Sequence, residues 1–83
     1  MTDYYLTGYL SRARGVIGRY PKPGDRYILE WSKIANRPIG MVGVTSPLIV
    51  EWHQHGAMVR RKHLRPWVGR ASYPADRVIE YRP

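Results

Sequence analysis

The ten residues MVRRKHLRPW, positions 58–67, hold the densest group of side chains in this sequence that can bind a charged ligand. Four of the ten are Lys or Arg, a fifth is His63, and none is acidic. Arginine guanidinium groups bind phosphate and carboxylate oxygens through paired hydrogen bonds and also stack on flat rings. This composition indicates a surface for a polyanion rather than a site for a small substrate.

The positive charge of the chain is concentrated in two segments. Residues 57–71 carry five Lys or Arg and no acid, and residues 1–22 carry four against a single acid. The formal net charge is +8, and eleven of the fourteen cations are Arg. A basic surface that only kept a small domain soluble would not require this segregation or this preference for Arg.

We therefore predict that the two segments form one nucleic-acid-binding site, for DNA or RNA, that contacts mainly backbone phosphates. Aromatic rings bracket the central run at Trp52, Trp67 and Tyr73, and stacking surfaces beside cations are typical of such sites. The predicted contact residues are Arg60, Arg61, Lys62, Arg65, Trp67 and Arg70, extended by Arg12, Arg14 and Arg19. The alternative interpretation of the run is an edge strand whose charges prevent aggregation between sheets.

Catalytic chemistry has few candidate residues. The sequence contains six acids and three histidines but no cysteine, and it has no phosphate-binding loop or Gly-x-Ser-x-Gly motif. A metal-dependent nuclease needs a cluster of carboxylates, which the spacing of Asp25, Glu30 and Glu51 does not provide. Asp76 and Glu80 lie beside Arg residues, and we interpret them as ion-pair partners. We therefore predict that the protein is not an enzyme and needs no cofactor.

Two other kinds of binding site are weaker alternatives. Three histidines have a spacing that permits zinc binding, but without cysteine or a converging carboxylate we interpret them as exposed turn residues and predict no metal site. They are His53, His55 and His63. An aromatic cage for a methylated cation is conceivable from Tyr27, Trp31 and Trp52. Alternation along the strands directs these three rings into the core instead, and a basic protein is a poor host for a cation.

The length and composition indicate a small intracellular protein. A chain of 83 residues has one small core and little room for a deep catalytic cleft. The absence of cysteine fits a reducing compartment, and apolar runs such as residues 48–50 are far shorter than the ~20 residues that cross a bilayer. The first five residues lack the basic start and apolar run of a secretory signal. We expect a cytoplasmic protein without membrane contact, whose oligomeric state the sequence leaves open.

The cations of residues 58–67 are predicted to be positioned by short strands. Two prolines and a glycine at residues 21–24 separate an N-terminal segment, residues 1–20, from a β domain, residues 21–83. Apolar and polar residues alternate or recur in five segments of this domain. The predicted strands are residues 25–31, 39–45, 48–53, 57–60 and 76–82.

The connections between these strands are predicted from turn residues and from the direction of the apolar side chains. Residues 32–38 are expected to form a long loop, and Gln54-His55-Gly56 a hairpin turn. Residues 61–64 are expected to form one helical turn that brings Leu64 into the core. Ile79 and Tyr81 are expected to point inward from the last strand.

The N-terminal segment has two possible structures. Apolar residues recur at three- and four-residue intervals after Thr2, which predicts a helix over residues 3–14. Gly8 and Gly15 disfavour a longer helix. An extended arm that pairs with the sheet is the alternative.

Four short motifs resemble SH3-like barrels of the Tudor, KOW and integrase C-terminal kind, over about residues 21–67. They are Gly24-Asp25, Gly40-Met41-Val42, Val50-Glu51-Trp52 and Leu64-Arg65-Pro66. The predicted fold is therefore mainly β, a small five-stranded SH3-like antiparallel barrel with an N-terminal helix or arm. The resemblance also implies binding of nucleic acid or protein tails through loops and one barrel face, although fold alone does not assign function.

A second function of a different class uses the same cations. A small regulator, in the style of phage or mobile-element proteins, would dock its basic face on an acidic surface of a larger protein. Such a site is expected to centre on an aromatic hot spot such as Trp67 or Tyr73, whereas a phosphate site distributes its binding energy over many cations.

Overall fold

The computed structural model describes residues 3–6, 23–42 and 44–83, and in these ranges the chain is mainly β, as predicted. No helix occurs among the described residues. The strands are β1 (Asp3–Leu6), β2 (Arg26–Gly40), β3 (Leu48–Gln54), β4 (Ala57–Leu64) and β5 (Arg70–Tyr81).

The strands lie side by side in the order β1-β2-β5-β3-β4. Four of them, β2, β5, β3 and β4, form an antiparallel sheet, and the short β1 pairs with β2 in parallel. In the described part of the chain this sheet is open, with β1 and β4 at its two edges. The observed arrangement is thus a four-stranded antiparallel sheet with a short parallel strand, not five antiparallel strands.

β2 and β5 pair with each other over two successive ladders. Residues 26–30 of β2 pair with residues 77–81 of β5, and residues 35–40 pair with residues 70–75. An irregularity in the register separates the two ladders. The prediction of a loop over residues 32–38 is therefore wrong, because this segment continues the strand and lengthens it to 15 residues.

The turn residues Asn36 and Pro38 account for this wrong prediction, and a second proline, Pro74, lies in the strand that pairs with this segment. Pro38 and Pro74 lie inside β2 and β5, in the halves that pair only with each other among the described strands. A proline has no N–H to donate, but it is tolerated in a strand whose other side is unpaired. The sequence signal for a break is therefore compatible with a two-stranded ribbon.

The core lies on one face of the sheet, which we call the inner face. It contains Leu29, Leu48, Val50, Trp52, Leu64, Ala75 and Val78, together with Met41 and Val44 from the loop after β2. Tyr27 and Trp31 pack against its margin. The predicted inward directions of the side chains of β2 and β3 are confirmed. The strand predicted over residues 39–45 is wrong for residues 41, 42, 44 and 45, although Met41 and Val44 are fully buried.

The direction of the last strand is opposite to the prediction. Val78 pairs with both Leu29 and Trp52 and so faces the core, which places Ile79 and Tyr81 on the other face, called the outer face. Ile79 is nonetheless buried there, 5 % exposed, opposite Ile28. The sheet is thus buried on both faces where β5 runs between β2 and β3.

β4 is a regular strand up to Leu64, so the predicted helical turn over residues 61–64 is wrong. Leu64 reaches the core because it lies opposite Leu48 on the inner face, in the same alternation as Arg60 and Lys62. The predicted hairpin between β3 and β4 is confirmed. Its two turn residues, His55 and Gly56, both have positive φ, 50° and 83°, as a two-residue hairpin turn of type I′ requires.

The N-terminal residues that the structure describes form a strand and not a helix. Asp3 lies opposite Arg26 in the parallel pairing, and the Arg26 guanidinium donates two hydrogen bonds to the Asp3 carboxylate, at 2.9 and 2.8 Å. The predicted helix over residues 3–14 is therefore wrong for residues 3–6, which follow the alternative of an arm paired with the sheet. The rest of the predicted helix lies outside the described residues.

Candidate functional site

Five cations predicted to bind a ligand lie in β4, in the turn that follows it and at the start of β5, and we call them the basic cluster. Its members are Arg60, Arg61, Lys62, Arg65 and Arg70. All five side chains are exposed to solvent. Arg12, Arg14 and Arg19, which were predicted to extend this surface, lie outside the described residues.

Alternation along β4 divides the basic cluster between the two faces of the sheet. Arg60 and Lys62 follow the inner face, opposite Trp52 and Val50 of β3, whereas Arg61 follows the outer face. The Arg60 guanidinium lies 5.6 Å from the centre of the Tyr73 ring, a distance at which a cation is attracted to an aromatic face. The three consecutive cations therefore do not form one continuous patch.

The cations that share a groove are Lys62, Arg65 and Arg70. This open groove lies between the end of β4 and the start of β5, and Leu64 and Gly69 also line it. No acidic side chain lines it. The groove is thus the place where the structure concentrates positive charge.

Four acids of the described chain contact basic residues outside the basic cluster. Among the described residues, ion pairs join Asp3 to Arg26 and Glu30 to Arg77, and the Glu51 and Asp76 carboxylates lie 3.0 and 3.8 Å from the rings of His53 and His55. None of these contacts includes a member of the basic cluster. Apart from Arg61, which interacts with Glu51, these cations are therefore available to an external anion without the cost of breaking an ion pair within the described part of the protein.

Arg61 is the member of the cluster with the closest acidic neighbour. It lies opposite Glu51 on the outer face, where the Tyr81 hydroxyl donates a hydrogen bond to Glu51 and His53 also contacts that carboxylate. Burial raises the pKa of Glu51, but these two hydrogen bonds and the charges of His53 and Arg61 outweigh it, so the pKa lies below its ordinary value. Glu51 is thus ionised at neutral pH and offsets part of the charge of Arg61.

The turn over residues 65–69 holds Trp67 in an exposed position. Its side chain is 55 % exposed, and Val68 beside it is 69 % exposed. The φ angle of Trp67 is +65°, in the left-handed region that bulky residues rarely adopt and that costs roughly 1 kcal/mol. The backbone conformation of Trp67 therefore works against the stability of the fold, and its exposed ring adds little buried area to offset this cost.

Backbone hydrogen bonds fix this turn against the loop after β2. The Trp67 N–H donates to the Val44 carbonyl at 3.2 Å, and the Met41 N–H donates to the Gly69 carbonyl at 3.0 Å. Within the turn the Gly69 N–H donates to the Arg65 carbonyl at 3.0 Å. The indole of Trp67 is therefore carried on a defined backbone rather than on an unsupported loop tip.

The other two tryptophans have structural roles. Trp52 is completely buried, and its indole N–H donates to the Arg37 carbonyl at 2.9 Å. One face of Trp31 is covered by the Arg37 guanidinium, 4.1 Å from the ring centre. The interpretation of Trp52 as a stacking surface beside the cations is therefore wrong, and the core role that we preferred to an aromatic cage is confirmed for Trp52.

The histidines of the hairpin contact separate acids. His53 Nε2 lies 3.0 Å from Glu51, and His55 lies 3.8 Å from Asp76, to which it also donates its backbone N–H. In the parts of the chain that the structure describes, no three His, Asp or Glu side chains converge as metal ligands would.

The environment of Glu80 differs strongly from the one predicted from the sequence. We expected it to be an ion-pair partner like Asp76, but it is only 1 % exposed and its Oε2 atom has no hydrogen-bond partner. It lies on the inner face between Tyr27 of β2 and Val50 of β3. Burial raises the pKa of Glu80 to about 8. A carboxyl group in this position is protonated at neutral pH and adds no negative charge to the molecule.

Comparison with known proteins does not assign the chain to a family. No protein-family profile, curated protein or solved structure matches it. Within the described ranges there is also no helix with the length and apolar character needed to cross a membrane. A functional assignment must therefore rest on the chemistry of the surface.

Proposed function

We propose that this protein is a non-enzymatic module that binds nucleic acid through its backbone phosphates, with the basic cluster as the binding site. The observation that carries the proposal is the absence of ion pairs to the basic cluster in the described part of the chain, where four acids pair elsewhere and a fifth is buried and protonated. Exposed guanidinium groups without an internal acid partner are suited to phosphate oxygens.

The position of β4 supports this proposal over a purely protective role for the charges. β4 is an edge of the described sheet, and cations on an edge strand do discourage pairing with other sheets. That role accounts for Arg60, Arg61 and Lys62. It does not account for Arg65 and Arg70, which lie beyond β4 and share the groove with Lys62.

The proposal also includes the curvature of the sheet, which goes beyond the open arrangement described above. We infer that the sheet curls in the manner of an SH3-like barrel. The irregularity in the middle of β2 and the approach of Arg60 in β4 to Tyr73 in β5 support this inference, because both are features of a strongly bent sheet. Bending brings the end of β4 towards the start of β5 and so forms the groove.

Binding that weakens steeply with salt is the first expected result. Each phosphate neutralised on duplex DNA contributes about 0.9 to the slope of log affinity against log salt, so contacts by all five cations give a slope near −4 to −5. Changing Arg60, Arg61 and Lys62 together to Ala should weaken binding strongly and reduce the slope to about −2. The measurement is fluorescence anisotropy of labelled duplex DNA, single-stranded DNA and RNA between about 50 and 200 mM salt.

Two single variants provide a matched comparison for this experiment. Arg65→Ala removes a cation from the groove, whereas Lys33→Ala removes an exposed cation from β2, outside the basic cluster. Both variants lower the net charge by the same amount. Equal effects of the two changes would show that overall charge alone drives association, and absence of binding by the unchanged protein at low salt would refute the proposal.

The second candidate function is docking on an acidic surface of a larger protein. The observation in its favour is the exposure of two apolar residues, Met58 and Val59, on the edge strand β4. An extended acidic segment of a partner could pair with that edge. In that case the protein would bind acidic proteins, and it would bind none of the nucleic acids in the anisotropy titration.

A further inference from the structure

Trp67 combines features that a purely structural residue would not need. It is the most exposed of the three tryptophans, it adopts a left-handed backbone conformation, and its turn is fixed by hydrogen bonds to the loop after β2. Strained residues of this kind concentrate at functional sites, where the surrounding structure holds them in place. The fold therefore presents the indole to solvent instead of burying it.

The surroundings of Trp67 indicate what kind of ligand it meets. In the chain it lies between Arg65 and Val68, which both line the groove that also contains Lys62 and Arg70. Trp67 itself does not line the groove, but its exposed ring is carried on the same turn as the groove residues Arg65 and Val68. Exposed aromatic rings next to a groove with cations and no acid are an arrangement by which proteins bind single-stranded nucleic acid. Bases of a single strand can stack on such a ring, whereas bases within a duplex are already stacked on each other.

We propose that the ligand class is single-stranded nucleic acid, with its phosphates at Lys62, Arg65 and Arg70 and one base stacked on the indole of Trp67. This inference rests on the proposed function, because it assumes that the basic cluster binds nucleic acid. Stacking on an aromatic ring is tolerant of sequence, since every base has a flat face. The site therefore binds with little dependence on base sequence.

A comparison of three ligands tests this proposal with the unchanged protein. They are a short oligo(dT), an abasic strand of the same length, and a duplex of the same length. The abasic strand keeps the phosphate charges but has no bases to stack. We expect oligo(dT) to bind about tenfold more tightly than the abasic strand, and also more tightly than the duplex.

Variants of Trp67 test the same proposal from the side of the protein. Trp67→Asn removes the ring, and Asn tolerates a positive φ, so this variant should fold at least as well as the unchanged protein. Its affinity for oligo(dT) should fall about tenfold, with the salt slope and the affinity for the abasic strand unchanged. Trp67→Tyr should retain most of the affinity, because it restores a stacking ring.

The outcomes separate this inference from the proposed function. Equal affinity of the unchanged protein for oligo(dT), the abasic strand and the duplex would overturn base stacking but would leave phosphate binding intact. The same conclusion follows if Trp67→Asn binds oligo(dT) as tightly as the unchanged protein does. Binding to none of the three ligands at low salt would overturn both proposals. Loss of affinity for an acidic polypeptide in Trp67→Asn, with no nucleic-acid binding, would identify Trp67 as a protein contact instead.

Discussion

Replacing Glu80 by Gln should make the protein more stable than the unchanged chain at pH 7, with the advantage growing from acid to neutral pH. The Glu80 carboxyl is fully buried and has a pKa of about 8 in the folded protein, against 4.5 for an ordinary Glu. Between these two values the unfolded chain releases the proton while the folded protein retains it. Stability therefore falls as the pH rises through this window.

The size of the effect follows from the same two pKa values. Each pH unit between them costs the folded state about 1.4 kcal/mol, so the loss from pH 4.5 to pH 7 is about 3 kcal/mol. That is a large share of the 5–15 kcal/mol by which small domains are typically stable. Gln has nearly the same shape as the protonated carboxyl and does not titrate, so the Glu80→Gln variant lacks this loss.

Urea denaturation of both proteins across pH 4.5 to 7.5 measures this difference directly. The expected result is a difference in unfolding free energy that increases with pH by about 3 kcal/mol. The matched control is Glu30→Gln, which removes an exposed carboxylate paired with Arg77. Its unfolding free energy should still fall as the pH rises, because Glu80 is unchanged. Parallel stability curves for the Glu80→Gln variant and the unchanged protein would show that the buried carboxyl does not control the pH dependence.

Replacing Gly69 by Ala should destabilise the protein by about 1–3 kcal/mol, the usual cost of forcing extra atoms into a packed site. A Cβ at Gly69 would lie 2.6 Å from the backbone N and O atoms of Arg65, closer than any real Cβ contact. Because the obstructing atoms belong to the backbone, they cannot move away as the end of a side chain can. The turn must open, which also strains the hydrogen bond from Met41 to Gly69.

Thermal unfolding followed by circular dichroism provides the measurement for this variant. A loss of about 2 kcal/mol corresponds to a melting temperature roughly 10 °C lower in a domain of this size. Gly40→Ala is the matched control, since nothing lies within 4 Å of a Cβ placed there and its φ needs no glycine. If both variants melted at the same temperature, the turn would have to be looser than the structure indicates. Displacement of Trp67 in Gly69→Ala should also weaken any binding that depends on the indole.

Some of the fold is predictable from the sequence because a strand with one buried face leaves a clear pattern. In β3, Leu48, Val50 and Trp52 recur at every second position and share the inner face, and the predicted bounds are nearly those observed, although Ile49 is also buried on the outer face. The hairpin after it is equally clear, because His55-Gly56 supplies the two positive φ angles that the turn requires.

Other parts of the fold leave no such pattern. Residues 32–36 of β2 are exposed on both faces, so no alternation of apolar residues marks them as a strand. The second half of β5 presents the opposite difficulty, because Val78, Ile79 and Glu80 are consecutive and all buried. Alternation then cannot decide which face is the core. Because Ile79 and Glu80 point to opposite faces, the wrong prediction that Ile79 faces the core also placed Glu80 on the surface.

The candidate site was predictable in composition but not in geometry. The sequence locates the cations of residues 60–70, and all five are exposed. It does not show that Arg61 lies on the opposite face from Arg60 and Lys62, because that depends on the register with β3. Nor does it show that Gly69 positions Trp67, since no property of a glycine in the sequence reports the backbone atoms of Arg65 beside it.

The central place of β5 has a consequence for how fast the protein folds. β5 lies between β2 and β3 and pairs with both. Its pairing with β2 includes residues as far apart in the sequence as Arg26 and Tyr81. Closing so long a loop costs entropy before any contact repays it, so all-β domains with such distant pairings fold in milliseconds to seconds rather than microseconds. The β3–β4 hairpin, whose contacts are local, is then the natural first unit to form, and the joining of β2, β3 and β5 sets the folding rate.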